Sequence, residues 1–217
     1  MLTKNQLLEA VKKSIDALLK TFQKQPYLFY TENDLHVYLY HKILGHFPQE
    51  EWLCKTRDGK TSILLHKEYP TKERYSAQLL KENIPRDSRG HIDLSIWNPE
   101  NTEDRLFRVT SKNAFENEQQ TFIAIELDMI EGSESLESAI HHYKWDLLKL
   151  GSKKNEIEHG YSLVFVRDWI YNERFLSEVK KLPPDNKNIV IYAESSENKG
   201  LIGILSEKPF LNYKKLI

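Results

Sequence analysis

The chain has 217 residues, 40% of them apolar and 29% charged, enough for one globular domain with a sizeable core and too few for two large ones. Lys and Arg number 31 against 32 Asp and Glu, so no overall charge draws the chain to nucleic acid, and such binding has to come from a local basic surface. The single cysteine, Cys54, excludes an intrachain disulfide and a cysteine zinc site, and reads as a small half-buried apolar residue. Charges run through the opening MLTKNQLLEAVKKSIDALLK, unlike a secretory leader, and no apolar run approaches a membrane span; the expected compartment is a reducing cytoplasm, with no membrane partner.

Residues 3 to 25 read as a helix with a capping box at Thr3 and Gln6, an apolar stripe of Leu8, Val11, Ile15, Leu18, Leu19 and Phe22, and a stop at Pro26. A second helix starts at Thr31, whose Thr31-Glu32-Asn33-Asp34 run has the form of a capping signal, and ends at Gly45. An acid at Glu32 is explained equally by the helix dipole. Asp58-Gly59 marks a turn, and Ser62 to Tyr69 reads as a strand. Residues 71 to 90 are polar and predict a loop or short helix. His91 to Trp97 alternates, with Ile92, Leu94 and Ile96 on one face and His91, Asp93, Ser95 and Trp97 on the other. Residues 105 to 110 are a candidate short strand.

Thr121 to Met129 is the most apolar strand, with the unbroken Phe122-Ile123-Ala124-Ile125 run of a strand buried on both faces. Gly132 and Ser133 open a helix to Leu150, whose Leu136, Ile140, Tyr143, Leu147 and Leu150 step by four, three, four and three. Tyr161 to Val166 is another buried strand. Trp169 to Leu182 reads as a helix, and Asn188 to Ala193 and Leu201 to Leu205 as late strands. An apolar strand, a helix and an apolar strand in succession argue for a parallel crossover, and the earlier meander for antiparallel pairs. The class is therefore α/β, a mixed sheet flanked by helices in a single domain over residues 1 to 217.

Two acids break the apolar pattern. Asp93 stands between Ile92 and Leu94, and Glu126 ends the most apolar strand. A buried carboxylate is costly unless paired or bound to a cation. Two on neighbouring strands can share one divalent ion; Mg2+, which takes oxygen ligands and keeps waters, suits such a pair, and the Leu127 carbonyl could add a third ligand.

Gly90-His91-Ile92-Asp93, then Ile125-Glu126-Leu127-Asp128, with Thr31-Glu32-Asn33-Asp34 upstream and an amphipathic helix and apolar strand downstream, resemble the PD-(D/E)XK, or restriction-endonuclease-like, nuclease superfamily. The resemblance covers roughly residues 30 to 168, leaving the helix over 3 to 25 and the segment over 169 to 217 as additions. It implies a restriction-endonuclease-like sheet and a nuclease acting on nucleic acid, DNA first, with Mg2+ or Mn2+ held by Asp93, Glu126 and Leu127 and Glu32 reaching the ion through water. The site where that superfamily carries lysine holds Asp128. Three expectations follow. Lys144, which by helix geometry lies about 80° from the centre of the apolar stripe, supplies the missing ammonium, although a solvated lysine there is equally ordinary. Alternatively Asp128 acts as an extra ligand or base beside two metals. Otherwise the site is degenerate and the domain binds nucleic acid or protein without cutting.

Asp146 falls on the opposite flank from Lys144 and Lys149 farther out, and both read as solvated charges. Arg89 and His91 are candidate phosphate contacts, His91 the better because it shares the face of Asp93. Arg167 is a candidate partner for Glu126, and an interaction domain whose acids are simply salt-bridged is the remaining alternative. The near-neutral charge makes a homodimer or partner protein an expected aid to binding. Gly-rich phosphate loops, Gly-x-Ser-x-Gly and His-Glu-x-x-His are absent, and the adjacent His141-His142 lack ligand spacing.

Overall fold

The computed structural model describes residues 1–75, 88–105, 107, 119–132, 134–167, 171–179, 189–195 and 202–204. Helix α1 spans Lys4–Lys24 and α2 Glu32–Leu44. Strands β1 (Leu53–Lys55) and β2 (Thr61–Ile63) form a separate antiparallel hairpin. Strands β3 (Leu65–Tyr75), β4 (Ser88–Trp97), β5 (Thr121–Glu131), β6 (His159–Arg167), β7 (Ile189–Ser195) and β8 (Ile202–Ile204) lie side by side in sequence order in one six-stranded sheet. Helices α3 (Leu136–Gly151) and α4 (Asn172–Val179) follow, and short 3-10 turns at Pro26–Leu28, Gln49–Trp52, Thr102–Asp104 and Lys153–Asn155 complete the described elements.

The sheet is mixed. β3, β4 and β5 pair antiparallel, β5–β6 and β6–β7 pair parallel, and β8 returns antiparallel to β7. The expected crossover is present: α3 connects β5 to β6, with Ile123 paired to His159 and Glu131 to Arg167. β5 is buried along nearly its whole length, as a strand walled by neighbours on both edges and covered on both faces must be.

Both N-terminal helices start where their caps predict. The Thr3 hydroxyl accepts from the Gln6 amide at 3.3 Å, and the Gln6 side chain accepts from the Thr3 amide at 2.9 Å. The Thr31 amide donates to the Asp34 carboxylate at 2.8 Å. The stripe of α1 is buried from Leu7 to Phe22, although Leu8 is only partly so. Phe22 meets Phe165 of β6 edge to face at 4.9 Å, so α1 is anchored to the sheet by ring packing.

Several boundaries move. The strand read over Ser62 to Tyr69 is two strands divided at Leu64, because the first half pairs with β1 and the second with β4. The supposed loop over 71 to 90 is strand at both ends, since β3 runs to Tyr75 and β4 begins at Ser88. Helix α3 starts three residues later than Gly132-Ser133 suggests. Ser135 is the cap, its hydroxyl accepting from the Ser138 amide at 3.1 Å, and Gly132 takes a positive φ of 62° in the turn before it. Helix α4 is described from Asn172 rather than Trp169. The candidate strand over 105 to 110 lies mostly outside the described residues. Among the described residues, no helix is long and apolar enough to cross a membrane.

Candidate active site

β4 and β5 bring the two pattern-breaking acids together. Leu94 pairs with Ile125, so Asp93 and Glu126 stand one step beyond, opposite each other. Asp128, two residues along β5, points to the same face by strand alternation. These three, with Glu32 from the first turn of α2, line one cleft of about 360 Å³. Asp146 and Lys149 of α3 close another side, and His91, which is exposed, stands on its rim.

The cleft holds five carboxyls and one ammonium. Lys149 Nζ donates to Glu126 Oε2 at 2.7 Å and to the His91 carbonyl at 3.2 Å, and it pairs with Asp146 Oδ1 at 2.9 Å. Burial opposes its charge, but Glu126, Asp146 and Asp93 outweigh that and hold its pKa above the ordinary lysine value. Asp93 accepts the Leu127 amide at 2.7 Å on Oδ2.

The acids strain against one another. Burial, then the Asp93 and Asp146 charges, push Glu32 up to about 7. Burial, then Asp146 and Glu32, push Asp128 up to about 8. Asp93 and Asp146 are also raised, by burial first, although Lys149 opposes the shift in each. Glu126 is 1% exposed and raised well above the ordinary carboxyl range by burial, against the pull of Lys149. Glu126 Oε1 and Asp128 Oδ2 are buried and receive no hydrogen bond from a donor group among the described residues. Acids packed this way, with acceptor atoms facing no donor, either take up protons or take up a cation.

Most expected residues thus converge: Glu32, His91, Asp93, Glu126, Leu127 and Asp128 all line the cleft. Lys144 does not. It is exposed and does not line the cleft. The residues of α3 that do line it are His142, Trp145, Asp146 and Lys149, which form one helix face. At about 100° per residue that face centres roughly 150° around the helix from Lys144, and the apolar stripe lies on the longer arc that separates them, about 80° from Lys144 and about 130° from the centre of the cleft face. Lys144 borders the buried face, but on the wrong flank, and Lys149 is the ammonium that reaches the acids. Arg167 is not the partner of Glu126 either. It pairs with Glu131 and donates to the carbonyls of Pro26 at 3.1 Å and Phe29 at 2.6 Å, tying the α1–α2 turn to the end of β6. The Arg89 side chain lies outside the described residues. Cys54 is buried and its thiol is pushed up to about 11 by burial, which leaves no nucleophile there.

His36 was not expected in the site. Its imidazole is 2% exposed, one helical turn after Glu32, and Nε2 lies 3.5 Å from both Glu32 Oε1 and Asp93 Oδ2. The signal available in the sequence was the spacing of four between Glu32 and His36, which places both on one helix face.

The chain matches no protein-family model, no curated protein and no solved structure.

Proposed function

We propose that the chain is a divalent-metal-dependent nuclease of the restriction-endonuclease-like kind, hydrolysing phosphodiester bonds in nucleic acid, DNA first, in the cytoplasm. The observation that carries this reading is the meeting of Asp93, Glu126 and a lysine ammonium in one open cleft, with Glu32 beside them. The antiparallel run of β3, β4 and β5, followed by a parallel crossover through α3, supports the same fold family. The lysine expected on β5 is supplied from α3 in this reading, so Asp128 need not do its work.

The donor set fits a hard divalent ion. Asp93 and Glu126 would hold Mg2+ or Mn2+ with the Leu127 carbonyl, and Glu126 Oε1, buried with no donor facing it among the described residues, suits a cation. When bound, such an ion lowers the pKa of a coordinated water and polarises a phosphoryl oxygen. The chain's own residues do the rest. Lys149 keeps its proton and places positive charge beside Glu126, where a phosphate entering the cleft needs it. His91, exposed at the mouth, is positioned to steady a phosphate oxygen from the same strand as Asp93.

A binding module without turnover is the second reading. It is favoured by the engagement of the Lys149 ammonium with two carboxylates at 2.7 and 2.9 Å, which competes with a phosphate. Incubation of supercoiled and single-stranded DNA, and of RNA, with the protein in Mg2+ and in Mn2+ separates the two. Nicking lost in Asp93→Ala supports the nuclease. Nucleic-acid binding without cleavage under all these conditions supports the module, and no metal binding by calorimetry removes both the metal and the nuclease.

A further inference from the structure

We propose that His36 is a direct metal ligand, so that Glu32, His36 and Asp93 form a one-nitrogen, two-oxygen site that takes Mn2+ in preference to Mg2+. This rests on the metal-binding part of the function proposed above and names which ion the cleft selects.

The geometry comes first. One ligand atom from each of Glu32, His36 and Asp93 lies within 4.8 Å of the others. Nε2 is 3.5 Å from one oxygen of each acid. Two donors each ~2.1 Å from a shared ion lie roughly 3 to 4 Å apart, so all three can reach one centre. Neither contact has hydrogen-bond geometry, and both ring nitrogens are buried without a hydrogen-bond partner among the described residues. Native interiors seldom leave a buried imidazole in that state, and coordination through Nε2 would satisfy that atom.

The helix also fixes the pair: Glu32 and His36 are one turn apart on α2, and the start of α2 is held to β3 by Lys67, which donates to Asn33 Oδ1 at 2.9 Å. Imidazole nitrogen is a good donor to transition metals and a poor one to Mg2+, which prefers oxygen and water. A site with His36 in it therefore discriminates, whereas one built from Asp93, Glu126 and the Leu127 carbonyl alone does not.

The test uses the full chain and Mn2+ itself. Loss of the free-ion electron paramagnetic resonance signal gives the affinity, competition with Mg2+ gives the preference, and pulsed measurement detects nitrogen coupled to the bound ion. The expected result is nitrogen coupling in the unaltered protein and Mn2+ bound at least tenfold more tightly than Mg2+. In His36→Gln the coupling disappears and the preference shrinks to within about threefold. His91 and His142 also line the cleft, so coupling must survive in His91→Gln and His142→Gln; these two variants carry the assignment by elimination if His36→Gln does not fold. Mn2+ bound without nitrogen coupling, or coupling lost with His91 or His142, overturns the inference and leaves the nuclease reading standing. No Mn2+ binding at all overturns both.

Discussion

Replacing Asp128 with Asn probes the electrostatic strain of the cleft without changing its shape. Asp128 is 8% exposed, so its ionisation is poorly screened. A carboxyl whose pKa stands at about 8 instead of 3.8 disfavours folding by up to ~6 kcal/mol once it is ionised in both states. Neighbouring acids share the repulsion and can take up protons themselves. The expected gain for Asp128→Asn in EDTA at pH 8 is therefore on the order of 2 to 4 kcal/mol. The sign follows from a raised acid pKa. Below the ordinary value both states are protonated and nothing is lost. As pH rises from about 4 to about 8, the unfolded chain ionises while the folded one resists, and stability falls. Urea unfolding at intervals between these limits should show the unaltered protein losing stability with pH and the variant losing much less, with the two curves meeting near pH 4. Saturating Mn2+ or Mg2+ should close most of the gap at pH 8. Parallel curves, with a constant difference at all pH values, would refute the claim that Asp128 is held in a repelling, dry environment.

Lys144→Ala should change urea-unfolding stability by less than ~0.5 kcal/mol and leave calorimetric Mn2+ affinity unchanged, because an exposed helix lysine away from the cleft supports neither. Lys149→Met should lower stability by about 3 kcal/mol, since it leaves Glu126 and Asp146 buried without their ammonium, and it should abolish any nicking. Arg167→Ala should cost on the order of 2 to 3 kcal/mol in thermal or urea unfolding by freeing the carbonyls of Pro26 and Phe29. It should also weaken Mn2+ binding, because the turn it holds leads directly into Glu32.

The legible parts of the fold were those with a strong local period. The α1 stripe, the two capping boxes, the alternation of β4 and the unbroken apolar run of β5 each follow from the pleat or the helical turn acting on near neighbours. The β1–β2 hairpin was not legible, because what divides Thr61–Ile63 from Leu65–Tyr75 is the partner each half pairs with. The acids of the site were found because a carboxylate inside an apolar strand is conspicuous. Lys149 and Asp146 were passed over because charges beside an apolar stripe look alike on both flanks, and only the direction from which α3 meets the sheet separates them. His36 was hidden for a different reason. It sits among the buried positions of α2 as an ordinary core residue would, and its relation to Asp93 exists only after α2 packs against β4.

That the ammonium of the cleft comes from α3 also bears on how the parts of the fold depend on one another. In any state where β4 and β5 have paired but the crossover helix has not docked, Asp93, Glu126 and Asp128 stand together without the Lys149 ammonium. Their repulsion is then unrelieved, so docking of α3 and closure of the sheet favour each other. A divalent cation would relieve the same repulsion, which ties the ion that the finished cleft would hold to the completeness of the fold around it.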